Sequence, residues 1–88
     1  MNTSSEALRL LQEATKSTQQ ALNVIDNLVV EHDFQDVASL ITQAASALLI
    51  SAERLMQSND AAALEAMETA EDLLDAVYNI IDSELDEE

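Results

Sequence analysis

Apolar positions recur along the chain at alternating steps of three and four, the spacing that lines side chains along one face of an α-helix. In the first segment the stripe is Leu8, Leu11, Thr15, Thr18, Leu22, Ile25 and Val29, flanked at seven-residue intervals by Ala7, Ala14, Ala21 and Leu28. The second stripe is Phe34, Val37/Ala38, Ile41, Ala45, Leu48, Ala52 and Leu55/Met56. The third is Leu64, Met67, Ala70, Leu74, Val77 and Ile81. This periodicity predicts helices over about 4–30, 34–57 and 61–83, with an acidic tail at 84–88. Thr3 followed by Glu6 has the form of a capping box that would start the first helix near Ser4. Asp33, with Asp36 three residues on, reads as the N-cap of the second, and Ser58-Asn59-Asp60 has turn and N-cap character before the third. Glu31-His32-Asp33 must form a tight connection without glycine.

Helices of about 25 residues joined by loops of three or four run antiparallel to their neighbours. The expected architecture is therefore all-α: one domain over residues 1–88 with three antiparallel helices, up-down-up, closed on itself or completed by a second copy as a homodimeric bundle. One pole would hold Ile25, Val29, Phe34, Tyr78 and Ile81, and the other Leu8, Leu11, Leu55, Met56, Leu64 and Met67. Phe34 and Tyr78 would cap the core at one end, while Met56 and Met67 would fill gaps within it. Thr15 and Thr18 interrupt the leucine stripe. They either specify register as polar seam residues or pack their methyls while their hydroxyls bond back to helix carbonyls.

The second helix carries more apolar surface than one core needs. Beside its stripe lie Leu40, Ala44, Ala47 and Ile50, and between Gln35 and Gln57 only Asp36, Glu53 and Arg54 are charged. A surface helix normally shows one apolar stripe of about 100° or slightly more. A central helix needs two buried faces; a third would be buried by a homodimer or a partner helix. Leu40, Ala44, Ala47 and Ile50 are the expected partner or dimer interface, with Ala38, Ala44, Ala45 and Ala47 small enough for close helix approach. Leu10 and Val24 of the first helix also face away from its main stripe.

Charge adds a second expectation. Eighteen acids against three bases give −15, divided as −4 over residues 1–44 and −11 over residues 45–88. A charge this negative argues against direct binding to phosphate backbones. Glu65, Glu68, Asp72, Asp75 and Asp82 lie along one face of the third helix and form the candidate acidic docking face. Nine acids should gather at one pole: Asp26, Glu31, Asp33, Asp36, Asp82, Glu84, Asp86, Glu87 and Glu88. Acids at a helix C-terminus oppose its dipole, so the last turn of the third helix is expected to fray.

Chemistry finds few carriers. Cysteine and glycine are absent, which removes disulfides, zinc-thiolate sites, phosphate-cradling loops and the EF-hand. His32, the single histidine, reads as a turn residue that closes the first helix. No metal ligands, cofactor or catalytic residues are expected. The N-terminus lacks a basic segment followed by an apolar one, and the longest apolar stretch, Val37 to Ala52, is too short and polar for a membrane span, so a soluble cytoplasmic protein is expected. Asp82-Ser83-Glu84-Leu85 interrupts, and Asp36 to Leu40 does not fit, the Asp-Ser-Leu motif of acyl carrier proteins, which the chain resembles in size, acidity and helicity. The carrier reading is therefore excluded.

The expected function is that of a small non-enzymatic protein–protein interaction module of the adaptor, chaperone or antitoxin kind, a homodimer that binds a basic or helical protein partner. Its apolar helix face would pack while its acids steer. The alternative is an inhibitor that mimics nucleic acid and occupies a DNA- or RNA-binding protein through its acids.

Overall fold

The computed structural model describes residues 3–86, which form α1 (Ser4–Asp26), α2 (Gln35–Met56) and α3 (Asp60–Asp86). Each boundary has a local cause. Thr3 is extended, and its hydroxyl oxygen accepts the Glu6 N–H at 3.2 Å, the N-cap bond expected of the capping box. α1 stops at Asp26, four residues before the expected end at residue 30. Asn27 closes it: its backbone N–H donates to the Val24 carbonyl at 3.2 Å and its side-chain amide to the Asn23 carbonyl at 2.7 Å. The residues beyond are poor continuations, because Val29 and Val30 are β-branched and no basic side chain in the last turn meets the helix dipole.

His32 therefore does not close α1. Its backbone N–H donates to Gln35 Oε1 at 3.2 Å and its carbonyl accepts the Gln35 N–H at 3.0 Å, a turn that feeds α2. Nor does Asp33 cap α2: the N-cap is Phe34, in the left-handed region at φ 66°, with no side-chain cap bond. Gln35 ties the two helices together by donating its amide to the Ile25 carbonyl at 2.7 Å, which satisfies an orphan acceptor at the end of α1.

The second turn is as short as expected. Asn59 N–H reaches the Arg54 carbonyl at 2.8 Å and Ser58 N–H the Leu55 carbonyl at 3.0 Å, the Schellman pattern, with Ser58 at φ 58° where glycine is usual. Asn59 then starts α3, its side chain accepting the Ala62 N–H at 3.2 Å. α3 continues to Asp86, past the expected end at 83, so helix occupies the start of the tail expected at 84. Glu84 and Leu85 are good helix formers, and no glycine or proline interrupts them. Glu87 and Glu88 lie outside the described residues.

α1 and α3 each pack against α2 and not against one another. Thr15 meets Glu53 and Asp26 meets Ser39, an order of pairing that runs in opposite directions along α1 and α2. The start of α2 and the end of α3 share one concavity, and the end of α2 and the start of α3 another. The three helices thus form an open layer with α2 in the middle, 52 × 28 × 19 Å between Cα extremes. Its radius of gyration is 15.4 Å, against about 12 Å for a compact chain of this length.

α2 contributes two buried seams, each repeating every seven residues. Ser39, Ser46 and Glu53 are buried toward α1, and Val37, Ala44 and Ser51, with Ala47, toward α3. α3 answers with Ala63, Ala70 and Val77, of which the two alanines are 1% exposed. α1 buries no residue fully; Leu8, Leu11, Thr15, Thr18, Leu22 and Ile25 are half-buried, as their stripe predicts, whereas Val29 is fully exposed.

The expected cores of α2 and α3 are corrected here. Ile41, Ala45, Leu48 and Leu55 of α2, and Leu64, Met67 and Ile81 of α3, are exposed; Ala70, Leu74 and Val77 of the expected stripe are buried or half-buried. Phe34 and Tyr78 cap nothing, and Met56 and Met67 fill no gap, since all four are exposed. The small residues allow the closest helix approach, so they take the seams and leave the large ones outside.

Candidate functional site

Exposed large apolar side chains are the main surface feature the seams leave behind. On α2 they are Ile41, Leu48, Leu55 and Met56, the first two flanked by exposed Ala38 and Ala45; on α3 they include Met67 and Tyr78. Whether they share a side follows from contacts that fix the opposite side. Arg54 of α2 and Glu65 and Asp72 of α3 line the same shallow concavity. At 100° per residue, Leu48, Ile41 and Ala45 lie about 120–180° around α2 from Arg54, and Met67 and Tyr78 about 120–160° around α3 from Glu65 and Asp72. Both sets therefore face the other side of the layer.

The same reasoning places α1. Asp26 accepts a hydrogen bond from the Ser39 hydroxyl at 2.8 Å. Leu10 and Val24 lie about 160° around α1 from Asp26, as Ile41 lies around α2 from Ser39. Leu10 and Val24 are 50% and 65% exposed. One side of the layer thus carries exposed apolar residues of all three helices, with the acids Glu71 and Asp82 beside Tyr78 on α3, and the other carries Asp26, Gln43, Arg54, Glu65 and Asp72 together with half-buried Leu40 and Ile50.

Of the expected interface residues, Ala44 and Ala47 are buried within the chain, while Leu40 and Ile50 are half-buried and lie about 40° around α2 from Arg54. The surface that the surplus apolar residues of α2 announce exists, but it is the Ile41–Ala45–Leu48 arc. The period of seven places Ile41, Leu48 and Leu55 on one line, Val37, Ala44 and Ser51 on another and Ser39, Ser46 and Glu53 on a third; residue volume misidentifies which line is internal. On α3 the signal was available in Tyr78 and Leu85, which extend the Leu64–Met67 line at heptad spacing beyond what the seam uses.

Glu65, Glu68, Asp72, Asp75 and Asp82 are all exposed, as an acidic face requires. Glu65, Glu68 and Asp72 border the Arg54 concavity, while Asp75 and Asp82 lie about 60° and 40° around α3 from Tyr78. The acidic face therefore runs from the concavity onto the side that carries Met67 and Tyr78. Ion pairs among the described residues run from Arg9 to Glu13 at 2.9 Å and to Glu6 at 3.9 Å, so the acids of α3 are not neutralised within the chain.

Of the nine acids expected at one pole, Glu31, Asp33, Asp36 and Glu84 line one concavity with His32, Phe34 and Ile80. No group of three or more His, Asp or Glu side chains among the described residues is arranged to hold a metal ion. No helix among them is long and apolar enough to cross a membrane. Thr18 donates to the Ala14 carbonyl at 2.8 Å, the back-bonded role. Thr15 lies 3.0 Å from the Leu11 carbonyl and 2.8 Å from the buried Glu53 carboxylate, so it also links two helices.

The fold and this surface define an all-α protein: an acidic three-helix layer with one apolar side. Compared with known proteins, the chain matches no family model, no curated protein and no solved structure.

Proposed function

We propose that this chain is a small, non-enzymatic interaction module that binds protein through the apolar side of its helical layer, with the acids of α3 hastening encounter with basic groups. The observation that supports this reading is the run of exposed Leu10, Ile41, Leu48, Met67 and Tyr78 on one side of three helices, away from Arg54, Glu65 and Asp72. Contiguous apolar surface of this kind marks interaction sites, whereas singly scattered apolar residues do not. The acids contribute through rate and salt dependence more than through affinity.

The test is affinity capture from nuclease-treated host lysate, comparing the wild-type chain with Leu48→Glu/Tyr78→Glu and with Glu65→Lys/Asp72→Lys. Protein captured by the wild type should be lost with the first variant and should resist a high-salt wash. The second variant should slow capture without abolishing it. Identical capture by all three chains would overturn the reading.

A further inference from the structure

We infer that the side carrying Leu10, Ile41, Leu48, Met67 and Tyr78 is covered by a second copy of the same chain, forming a six-helix, two-layer sandwich with Glu65 and Asp72 facing outward. The inference rests on the reading of that side as the docking surface, and it names the occupant.

Area is the first argument. The chain exposes 6336 Å², whereas a compact protein of 9.6 kDa exposes about 5,100 Å². The excess, about 1,200 Å², exceeds the roughly 800 Å² that each partner contributes to a standard stable interface. The open packing of α1 and α3 on α2, with no contact between them, is where this excess arises.

Shape is the second. The apolar side crosses all three helices of a layer 28 Å wide, whereas a single partner helix is about 10 Å across and would cover one of the two grooves. A copy related by a two-fold axis presents a surface of the same width and composition, and such self-complementarity is what a two-fold interface requires. The middle of that surface is Ile41, Ala45 and Leu48, and no residue from Val37 to Ala52 is charged.

Charge is the third, and it distinguishes a copy from a basic partner. Two chains of −15 repel each other, so the arrangement that brings them together is the one that points Glu65 and Asp72 away from the contact and leaves Glu71, Asp75 and Asp82, within about 60° of Tyr78 around α3, at its rim. Self-association of this kind tightens as salt screens the repulsion, whereas docking of a basic partner on acids weakens.

Sedimentation equilibrium of the wild-type chain at low and high salt reads the mass directly. Twice 9.6 kDa is expected, with a dissociation constant that falls several-fold as salt rises from about 50 to 500 mM. The chain has no cysteine, so single-cysteine variants report which side meets which. A short bis-maleimide should join two copies of Ala45→Cys and should not join two copies of Glu65→Cys. A single-chain mass at concentrations up to about 100 µM, or cross-linking of Glu65→Cys in place of Ala45→Cys, overturns the inference. If the wild type is a single chain and Leu48→Glu/Tyr78→Glu still loses captured protein, the second copy fails alone. If the double variant captures all that the wild type does, the docking surface fails with it. The cysteine variants keep the test decisive should the double variant unfold.

Discussion

Toward α3, α2 presents Val37, Ala44, Ala47 and Ser51 to Ala63, Ala70 and Val77; toward α1 it presents Ser39, which donates to Asp26, Glu53, which accepts from Thr15, and Ser46 between them. The first seam is made of small side chains that let two backbones approach, and five of its residues are less than 6% exposed. The second sets polar residues of α2 against half-buried Leu8, Leu11, Leu22 and Ile25 and leaves no residue of α1 fully buried. Close packing of apolar surface carries most of the stabilisation in a domain, whereas a satisfied hydrogen bond adds about 0.5–1.5 kcal/mol net. The two seams therefore divide the work. The α2–α3 hairpin supplies stability, while the α1 seam supplies register through bonds that form only when Thr15 faces Glu53 and Asp26 faces Ser39.

The largest effect should follow from overfilling the tight seam. Ala70 is 1% exposed, so Ala70→Leu adds volume where none is free and should cost about 1–3 kcal/mol, read as a drop in the urea midpoint. Ala21→Leu, an enlargement at an exposed position of α1, should stay within about 0.5 kcal/mol of wild type. Hydrogen exchange sharpens the contrast: amides in the middle of α3 should exchange more slowly than those in the middle of α1, because α1 buries no residue fully and α3 buries Ala63, Ala70 and Val77. Equal protection in both helices would contradict the division.

This same contrast explains what was legible beforehand. Three helices, the N-cap at Thr3 and the turn at 58–60 could be read from periodicity and from a few capping residues, because those signals are local. The inner faces of α2 and α3 could not be read in the same way. α2 carries three heptad lines, all compatible with burial, and the line with the largest side chains, Ile41–Leu48–Leu55, is the usual choice for a core. In the single chain the alanine and serine lines are internal, because a middle helix needs two neighbours at close range. Assigning the leucine line correctly requires knowing what covers it, and that information lies outside the helix. The early end of α1 was missed for a related reason. Val29 continues the stripe in spacing, but Asn27 closes the helix first by bonding back to Asn23 and Val24.

A smaller effect should come from the polar seam. Glu53 is 7% exposed, and its carboxylate oxygen lies 2.8 Å from the Thr15 hydroxyl. Thr15→Val keeps the shape and removes the bond, so a double-mutant cycle with Glu53→Gln should give a coupling of about 1 kcal/mol. The same cycle between Thr18 and Glu53 should give nothing measurable, because Thr18 bonds within its own helix to Ala14. Coupling at Thr18 equal to that at Thr15 would mean that the bond across the seam is not what registers α1.

The smallest expected effect separates the two turns rather than the two seams. Ser58 and Phe34 both hold left-handed backbone, at φ 58° and 66°, a conformation that costs a residue with a Cβ about 1–2 kcal/mol relative to glycine. At Ser58 the cost is set against two Schellman bonds, and the side chain itself makes no hydrogen bond among the described residues. Ser58→Gly should therefore keep both bonds and raise stability by about 0.5–1 kcal/mol, less than the strain relieved because glycine also loosens the unfolded chain. At Phe34 the same change removes an aromatic ring that is 56% exposed, and so partly covered, and the two effects should nearly cancel. Urea denaturation at one fixed protein concentration checks both, since self-association would otherwise shift the midpoint. A gain at Ser58 with none at Phe34 would fit the tight turn being part of the α2–α3 hairpin, where relieved strain is felt in full. An equal gain at both would mean that the Phe34 ring contributes no packing where the chain enters α2.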